Sequence, residues 1–531
     1  MQREGAGWSV PQLHELGLMA GSASTQELAR LASAYPPVLR THDPRGHRID
    51  EVDFHPAWHE LMATAVRHGL HAAPWASSRP GAHVARAAGF FAWTQAEAGH
   101  GCPISMTYAS VPALRHQPAL AARYERLLTA GAYQPGLVVP DGKAGLLAGM
   151  GMTEKQGGSD VRANSTRAEP DPAAGAGAYR LTGHKWFCSA PMCDLFLVLA
   201  QAPEGLSCLL LPRVRPDGSR NAMHIQRLKD KLGNRSNASA EVEYDGALAW
   251  LVGEPGRGIA TIIDMVSATR LDCVLGSAAQ MRLACVTAAH YVSARQAFGA
   301  KIIDYPLMAS VIADLTLESE AATTLAMRLA GAADRAARGD TAEADFLRLA
   351  LPAAKYWVCK RTPLVVGEAL ECLGGNGYVE DSGMPRLYRD APLNSIWEGS
   401  GNIAALDVLR ALTRAPQATE AVLAEIDAAA GADRRLDQAA ARLRRELAAA
   451  AAAGPQAGYQ ARRLAGLLTL VLQAALLTRH APAPVADAFC ASRLDTAAAA
   501  GLGGPGGPFG TLPSGVALPE VLTRSSVPAP R

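Results

Sequence analysis

The spacing of apolar residues divides the chain into a helical region, a β region and a second helical region. Up to about residue 148, apolar side chains recur every three or four positions, as in HPAWHELMATAVRHGL, which predicts helices. From about 149 to 255, segments such as LFLVLAQA and LSCLLLPRV are separated by turn-rich stretches and predict a small all-β domain. Helical spacing then returns, and residues 256–412 are predicted to form an antiparallel bundle of long helices.

The end of the chain has a different composition. Residues 413–500 are rich in Ala and Arg and predict a separate helical region, whereas 501–531 contain GLGGPGGPFGTLPSG and are expected to be disordered. The longest apolar run lies between Arg463 and Arg479. Because it is shorter than the roughly 20 residues that span a bilayer, we predict a buried helix.

Composition and charge narrow the class of protein. A chain of 531 residues is long enough for several domains, and 49% hydrophobic with 19% charged residues is typical of a soluble globular protein. The net charge of +2 gives no whole-molecule field that favours nucleic acid. The nine cysteines form neither a CxxC pair nor a zinc spacing, and the N-terminus lacks the apolar core of a signal peptide. We therefore expect a cytoplasmic protein without a metal site.

Two segments of the β region carry candidate binding residues. GMGMTEKQGGSDV at 149–161 places a Thr, two glycines and a Ser in a loop, where small residues allow a backbone to approach a planar cofactor. YRLTGHKWFCSAP at 179–191 places two adjacent aromatic residues and a hydroxyl on a strand, as a platform for a flavin ring. An ordinary turn and buried core aromatics are the alternative interpretations.

Three segments of the bundle region add further candidates. RQAFG at 295–299 supplies a guanidinium that can pair with a pyrophosphate, and ECLGGNGYVED at 371–381 is a glycine-rich helix end. LNSIWEGSGNI at 393–403 places Glu398 just before a new helix. A carboxylate there would also be explained by its favourable interaction with the helix dipole.

In order and spacing, these segments resemble the acyl-CoA dehydrogenase family over roughly residues 90–412. MTEKQGGSD, KLGNRSNAS and NSIWEGSGNI are most similar to its AidB-like branch, the adaptive (alkylation) response proteins. The resemblance implies a mainly α fold with a central β domain. Its parts would be an N-terminal α-helical domain (1–148), a middle β-barrel or sandwich (149–255), a C-terminal four-helix bundle (256–412) and an extra helical domain (413–500).

The resemblance also implies FAD as the cofactor. The residues that it assigns to FAD are Met152, Thr153, Gly158, Ser159, Trp186, Phe187, Ser189, Arg295, Phe298, Glu371, Gly374, Gly375, Ser400 and Asn402. Of these, Glu371, Gly374 and Gly375 would contact a cofactor that belongs to a neighbouring subunit. This sharing implies a homotetramer, built as a dimer of dimers.

The reaction implied by the resemblance is α,β-dehydrogenation of an acyl-CoA thioester, with Glu398 as the catalytic base. Some members of the family carry the base on the first long bundle helix instead, but the corresponding position here is Val266. Two departures concern binding. Pro306 replaces a Gln that contacts the flavin phosphates in many members, and Trp397 beside the base would narrow the acyl cavity. We therefore expect a short or branched acyl group.

The AidB-like branch also implies a role in the response to DNA alkylation and binding of duplex DNA through the C-terminal region. Seven arginines there would contact phosphates: Arg434, Arg435, Arg442, Arg444, Arg445, Arg462 and Arg463. Without a helix-turn-helix or zinc finger, such binding would not be sequence-specific. The alternative is a solvated amphipathic helix. Three hypotheses stay open: an active dehydrogenase, a flavoprotein that mainly binds and protects DNA, and a flavin-binding scaffold.

Overall fold

The computed structural model describes residues 1–494 and 507–525. These residues fold into two compact units. The N-terminal unit comprises Ala6–Asp272, and the C-terminal unit comprises Met1–Gly5 together with Cys273–Arg531. The predicted helical and β domains thus share one unit with the start of the predicted bundle, up to Asp272, and the rest of the bundle shares the other unit with the Ala- and Arg-rich helices. All nine cysteines are buried free thiols.

Six helices and one hairpin precede the β domain of the N-terminal unit. The helices are α1 (Val10–Ala20), α2 (Ala23–Ala34), α3 (Pro56–Arg67), α4 (Ala82–Trp93), α5 (Gly101–Leu114) and α6 (Pro118–Leu128). The hairpin pairs β1 (Val38–His42) with β2 (Arg48–Asp53) in antiparallel fashion. An entirely helical segment was expected here, and that expectation is wrong for the hairpin. Its strands are polar and mostly half-buried or exposed, so no apolar alternation marks them in the sequence.

Seven strands form the central sheet. They are β3 (Ala148–Gly151), β4 (Arg167–Pro170), β5 (Ala178–Ser189), β6 (Leu195–Ala202), β7 (Gly205–Pro212), β8 (Met223–Leu228) and β9 (Ser239–Val252). The pairing follows the order β3-β6-β4-β5-β9-β7, β8 adds to β9, and β6 also pairs with β7. This last pairing closes the sheet into a barrel. Strand β6 is buried along nearly its whole length, which explains its unbroken apolar sequence.

Long helices dominate the rest of the chain. They are α7 (Gly258–Ala294), α8 (Pro306–Ala336), α9 (Thr341–Cys372), α10 (Met384–Asp390), α11 (Gly401–Arg414), α12 (Pro416–Asp427), α13 (Arg434–Ala452), α14 (Ala461–His480) and α15 (Ala483–Arg493). The two-residue strands β10 (Gln296–Ala297) and β11 (Ala300–Lys301) form a small hairpin between α7 and α8. Pro306 occupies the first turn of α8, where its missing N–H costs no hydrogen bond.

Helix α14 is the buried apolar helix that the sequence predicts. Among the described residues, the segment Gln456–His480 is long and apolar enough to cross a membrane, but it is mostly buried inside the protein. It packs against α8, α9 and α11 of the bundle. At Gly466, an added Cβ would lie 3.0 Å from the ring of Trp357 on α9, so the two helices are in close contact. The predicted boundary at 412 therefore does not separate two compact units.

The structure corrects the expectation of a disordered tail over residues 507–525. A short helix, Leu518–Leu522, packs on α8, and the Gly510 N–H donates to Asp314 Oδ2 (2.9 Å). Arg524 forms a bidentate ion pair with Glu320 at 2.9 and 3.0 Å. Residues 501–506 and 526–531 of the predicted tail lie outside the described residues. The prediction of disorder was based on the Gly and Pro content of the tail. It missed the docking because the partners of the tail on α8 lie far away in sequence.

Candidate functional site

A buried ion pair holds the MTEK loop that follows β3. The side chains of Glu154 and Lys185 are both 0% exposed, and their Nζ and Oε1 atoms are 2.8 Å apart. Glu154 also accepts hydrogen bonds from the backbone N–H and hydroxyl of Ser165 and of Thr166. Lys185 donates a second hydrogen bond to the Leu199 carbonyl oxygen (2.8 Å). All these groups are satisfied, so the loop is rigidly fastened to the barrel.

Both members of this pair have pKa values below their ordinary values, for different physical reasons. Burial raises the pKa of Glu154, but hydrogen bonds from Lys185 and Thr166 outweigh it and bring the pKa down to about 2. For Lys185, burial lowers the pKa more than Glu154 raises it. Neither side chain was a predicted site residue. Glu154 is the acidic residue of MTEK and Lys185 is the lysine of GHKW, so both belong to motifs that the sequence singled out. Their role in the structure is to support the loop.

The predicted flavin residues of the loop lie at its surface. Met152 and Thr153 are half-buried, whereas Gly158 and Ser159 are exposed. The Trp186 N–H donates to the Thr153 carbonyl oxygen (2.9 Å), which joins the loop to β5. A Cβ added to Gly158 would lie 2.4 Å from Thr153 Oγ1, so only glycine fits this close approach. The loop therefore has small residues at its surface, and their contact with a planar cofactor stays a prediction.

Strand β5 presents the two predicted aromatic residues on an irregular stretch. The pairing register with β9 shifts between Lys185 and Cys188, which places Trp186 and Phe187 in a bulge. Phe187 is 49% exposed, although it is a large apolar residue. Ser189 lies further along the strand, with its Oγ 3.2 Å from Ser239 Oγ. An exposed aromatic beside a hydroxyl fits a surface that a flavin ring would cover.

A lysine that sequence reasoning missed lies over the aromatic pair. Lys229 Nζ is 3.5 Å from the ring centroid of Trp186 and 4.5 Å from that of Phe187. Its ammonium also donates to Glu241 Oε1 (2.6 Å). Lys155, the last residue of MTEK, has its Nζ 5.7 Å from the ring centroid of Trp186. The aromatic platform is therefore positively charged on one side.

The KLGNRSNAS turn is fastened to the helical part of the same unit. Ser236 Oγ donates to Glu97 Oε1 (2.6 Å), and Glu97 lies 3.0 Å from His100 Nδ1. Burial raises the pKa of Glu97, but the His100 hydrogen bond and charge outweigh it, so the pKa falls to about 2. Lys231 Nζ donates to the carbonyl oxygens of Asn234 (2.8 Å) and Asn237 (2.6 Å) and closes the turn.

In the C-terminal unit, Tyr291 joins two segments that were predicted to bind the cofactor. Its hydroxyl oxygen accepts hydrogen bonds from Arg295 Nη1 (3.1 Å) and from Asn376 Nδ2 (2.9 Å). The structure thus brings RQAFG and the LGGNG end of α9 together within one chain. Tyr291 precedes Arg295 by one helical turn of α7, which is the signal that could have found it.

The remaining predicted site residues of these two segments are exposed. Phe298 is 98% exposed and has a positive φ of 51°. Glu371, Gly374 and Gly375 are exposed at the end of α9, where Gly374 adopts a φ of 58°. They are therefore accessible, as the prediction that they contact a cofactor bound mainly by another subunit requires.

Glu398 lies in a tight turn between α10 and α11. Its φ is 56°, in the left-handed region, and that of Gly399 is 97°. A positive φ is uncommon for a residue with a side chain and marks a local strain. The side chain is half-buried. Val266, the alternative position of the base in the family, is a half-buried apolar residue of α7 and offers no carboxylate.

Trp397 is fixed beside Glu398 by hydrogen bonds rather than by apolar contacts alone. Its Nε1–H donates to Asn394 Oδ1 (2.9 Å), and Asn394 Nδ2 donates to Ser277 Oγ on α7 (3.1 Å). The carbonyl oxygens of Trp397 and Gly399 both accept from Lys355 Nζ of α9. The turn that carries Glu398 is therefore held from two helices.

The first turn of α11 connects two groups of predicted residues. Ser400 is the N-cap residue of α11, and its side chain makes no capping hydrogen bond. Arg462 Nε, a predicted DNA contact on α14, donates to Asn402 Oδ1, a predicted FAD contact, at 2.7 Å. Arg462 also lowers the pKa of Tyr356, although burial raises it more. This arginine therefore lies at the candidate cofactor segment.

Four of the other six arginines predicted to bind DNA form ion pairs. Arg442 and Arg463 share Glu446, Arg444 pairs with Asp427, and Arg435 pairs with Asp433 and Asp487. Arg434 and Arg445 are exposed, and within the described residues neither has a side-chain partner in the structure. Both of these arginines lie on α13.

Each unit by itself offers groups that fit part of a flavin dinucleotide. The N-terminal unit has an exposed aromatic, a hydroxyl and a glycine-rich loop, which suit a flat ring with polar edges. The C-terminal unit has Arg295 and Asn376 beside Tyr291, which suit a phosphate chain. The residues present therefore fit FAD.

Three family profiles match the chain. The adaptive response protein AidB N-terminal domain matches residues 1–135, the acyl-CoA dehydrogenase middle domain matches 149–247 and the acyl-CoA dehydrogenase C-terminal domain matches 256–413. Together they cover most of the chain.

Similar proteins agree with these matches. The Escherichia coli (strain K12) protein AidB is 47% identical over 496 residues, which are 93% of this chain and 90% of that protein. The structure of Caenorhabditis elegans ACDH-11 in complex with C11-CoA superposes with a TM-score of 0.81 at 28% identity, covering 88% and 84% of the two chains. A Bacillus anthracis acyl-CoA dehydrogenase complexed with FAD has the same fold, with a TM-score of 0.69 at 18% identity over 88% and 86%. The chain therefore belongs to the acyl-CoA dehydrogenase family of oxidoreductases, as a homologue of AidB.

Proposed function

We propose that the protein binds FAD and dehydrogenates an acyl-CoA thioester between its α and β carbons, with Glu398 as the base. The observation that carries the proposal is the Glu398 turn. A strained left-handed residue that two helices hold in place is typical of a functional carboxylate rather than of a solvent-exposed charge. Bound FAD supplies the hydride acceptor for such a reaction.

The residues of this chain have separate roles in the proposal. Glu398 takes the proton from the α carbon, and Trp397 limits the space beside it. The MTEK loop and strand β5 orient the ring of the cofactor, through Thr153, Phe187 and Ser189. Arg295 binds its phosphates. The MTEK loop is anchored by the buried Lys185–Glu154 pair, so little reorganisation of this loop is needed when a ligand binds.

Flavin reduction tests the proposal directly. The FAD-loaded protein is mixed anaerobically with a panel of acyl-CoA thioesters, and bleaching of the flavin absorption is followed. Glu398→Gln should slow reduction by roughly 10² to 10⁴-fold, the usual contribution of a general base, while FAD stays bound. Glu420→Gln is the control, because it removes an exposed carboxylate from α12. Equal reduction rates in Glu398→Gln and the wild type would disprove the assignment of the base.

The acyl group is proposed to be short or branched because of Trp397. ACDH-11, by contrast, has been crystallised with C11-CoA, a longer straight chain. The panel should therefore contain short, branched and C11 thioesters, each tested with wild type and Trp397→Ala. We expect the tryptophan variant to gain activity on C11-CoA and to lose selectivity for the short substrates. Faster reduction of the wild type by C11-CoA than by any short thioester would contradict the proposal.

We also propose a homotetramer in the cytoplasm. The large apolar residues that the C-terminal unit exposes include Phe298 (98%), Tyr378 (85%) and Leu307 (77%), and exposed apolar side chains favour a subunit interface. Nine buried free thiols fit a reducing compartment. Light scattering on the purified protein should give four times the chain mass of 55.6 kDa. A monomeric mass would contradict the proposal.

Binding of duplex DNA, in the response to DNA alkylation, is a second proposed function. Arg434 and Arg445 support it, because they lie about three helical turns apart on the same side of α13 and are both exposed. Their replacement by Gln should weaken binding and make it less sensitive to salt, since each phosphate contact releases counterions. Arg442→Gln is the matched control, because that arginine is already paired with Glu446. Absent or salt-insensitive binding would exclude this function.

A further inference from the structure

Lys355 is one of the most deeply buried charged residues of the C-terminal unit. Its side chain lies in the middle of α9 and the residue is 1% exposed. Burying an ammonium group is costly unless acceptors surround it. In the part of the chain that the structure describes, its hydrogen-bond partners are two backbone carbonyl oxygens, and no carboxylate forms an ion pair with it. A lysine in such a place requires an explanation beyond packing.

The two carbonyl oxygens belong to the residues on either side of Glu398. Lys355 Nζ donates to the Trp397 oxygen at 2.8 Å and also to the Gly399 oxygen. Between them, Glu398 adopts its positive φ of 56°. An L-residue leaves the left-handed region unless its surroundings hold it there. The ammonium group lies where it can do this, because it binds a backbone carbonyl oxygen on each side of the strained residue.

We infer that Lys355 is a positioning residue, whose ammonium group holds the Trp397–Gly399 turn and thereby aims the Glu398 carboxylate. The side chain does not need to touch a substrate to act in this way. It fixes the backbone from which Glu398 projects, and the carboxylate follows. The catalytic part of this inference rests on the proposed role of Glu398 as a base, whereas the effect on the turn does not.

Hydrogen–deuterium exchange measures the turn without reference to activity. Lys355→Met keeps the length and apolar stem of the side chain but removes its donors. We expect faster exchange in the peptide that covers residues 393–403 and unchanged exchange in the other helices of the unit. In a Glu398→Gly background the same substitution should have a smaller effect, because glycine adopts a positive φ without strain. Lys301→Met, which removes an exposed lysine of β11 outside both α9 and residues 393–403, is the control.

Reduction of bound flavin by an accepted acyl-CoA measures the consequence for Glu398. Lys355→Met should reduce the flavin at least 10-fold more slowly, with little change in acyl-CoA affinity, because a misplaced base affects the reaction more than the binding. Lys355→Arg, which keeps the charge and the donors, should recover part of the rate. If Lys355→Met does not fold, Lys355→Arg and Lys355→Gln carry the same two measurements.

The outcomes separate this inference from the proposed function. Wild-type exchange over 393–403 in Lys355→Met would overturn it. So would faster exchange throughout the unit with an unchanged rate per bound flavin, since that pattern indicates general loosening. If no thioester reduces the flavin of the wild type, the proposed function fails, and the exchange experiment still decides whether Lys355 holds the turn.

Discussion

Two lysines that are buried to the same degree have opposite surroundings in the two units. Lys185 in the β-barrel pairs with Glu154, whose remaining acceptor capacity is filled by Ser165 and Thr166. Lys355 in the bundle binds only carbonyl oxygens among the described residues. Lys185 belongs to a buried ion pair whose polar groups are all hydrogen-bonded, whereas Lys355 binds the main chain of the strained turn at Glu398. Burial alone therefore does not distinguish a structural lysine from one that serves a site; the partners do.

The difference has a physical consequence for each region. A buried pair that satisfies itself contributes rigidity, and removing one partner leaves an uncompensated charge. A buried ammonium group that donates to backbone oxygens instead restrains the conformation of that backbone. The MTEK loop of the N-terminal unit is thus made rigid by charge pairing, and the Glu398 turn of the C-terminal unit is held by hydrogen bonds to its main chain.

The largest effect should come from breaking the charge pair of the barrel. Lys185→Met leaves the Glu154 carboxylate buried without its partner, which should cost about 3–5 kcal/mol of unfolding free energy. Urea denaturation, followed by a probe in the N-terminal unit, measures this loss of unfolding free energy. As a control, Arg30→Met breaks the exposed pair with Glu27 and should cost far less unfolding free energy. Equal losses in the two variants would remove the contrast between a closed network and a surface pair.

Acid should weaken the barrel network through a defined pH window. The pKa of Glu154 falls from 4.5 to about 2 on folding, so its contribution is complete above pH 4.5 and disappears as the pH falls toward 2. The shift corresponds to roughly 3 kcal/mol. Glu154→Gln should therefore lie below the wild type in unfolding free energy at pH 6, and the two curves should converge between pH 4.5 and pH 2. Parallel curves over this range would show that other carboxylates govern acid unfolding.

The smallest effect concerns the hydrogen bond between Arg462 and Asn402. Arg462→Gln removes an exposed charged donor, so we expect the FAD dissociation constant to rise by no more than about tenfold, or about 1.4 kcal/mol. Fluorescence titration with FAD measures it. Arg463→Gln is the matched control, since its guanidinium binds Glu446 and Gln460 instead. A similar change in both variants would show that the effect is general electrostatics and not the contact with Asn402.

The sequence was a good guide to the fold because long elements have strong periodicity. The helical, β and helical regions and the buried helix α14 were predicted correctly, and the family profiles confirm the assignment to the acyl-CoA dehydrogenases. The β1–β2 hairpin was missed because its strands are polar on both faces. The docking of 507–525 was missed because Arg524 pairs with Glu320, a partner about 200 residues away.

Sequence motifs name candidate site residues but not the residues that support them. Thr153, Phe187, Arg295 and Glu398 were assigned to the site because the resemblance gives roles to motif positions, and these assignments stay predictions. The roles of Lys355 and Tyr291 depend on distances between elements that no local pattern records. Nor does the sequence WEGSG indicate the positive φ of Glu398, in a turn that is hydrogen-bonded to Lys355 on a different helix.

The contact of Gly466 with Trp357 bears on how the chain can be dissected. Helix α14 lies against α9 with no room for even one added carbon, so the Ala- and Arg-rich helices are not a detachable module. A chain truncated near residue 413 would bare the indole ring of Trp357 and the neighbouring apolar face of the bundle. Loss of DNA or flavin binding after such a truncation would therefore indicate a damaged bundle. Point substitutions at the surface of α13 address the same question without that ambiguity.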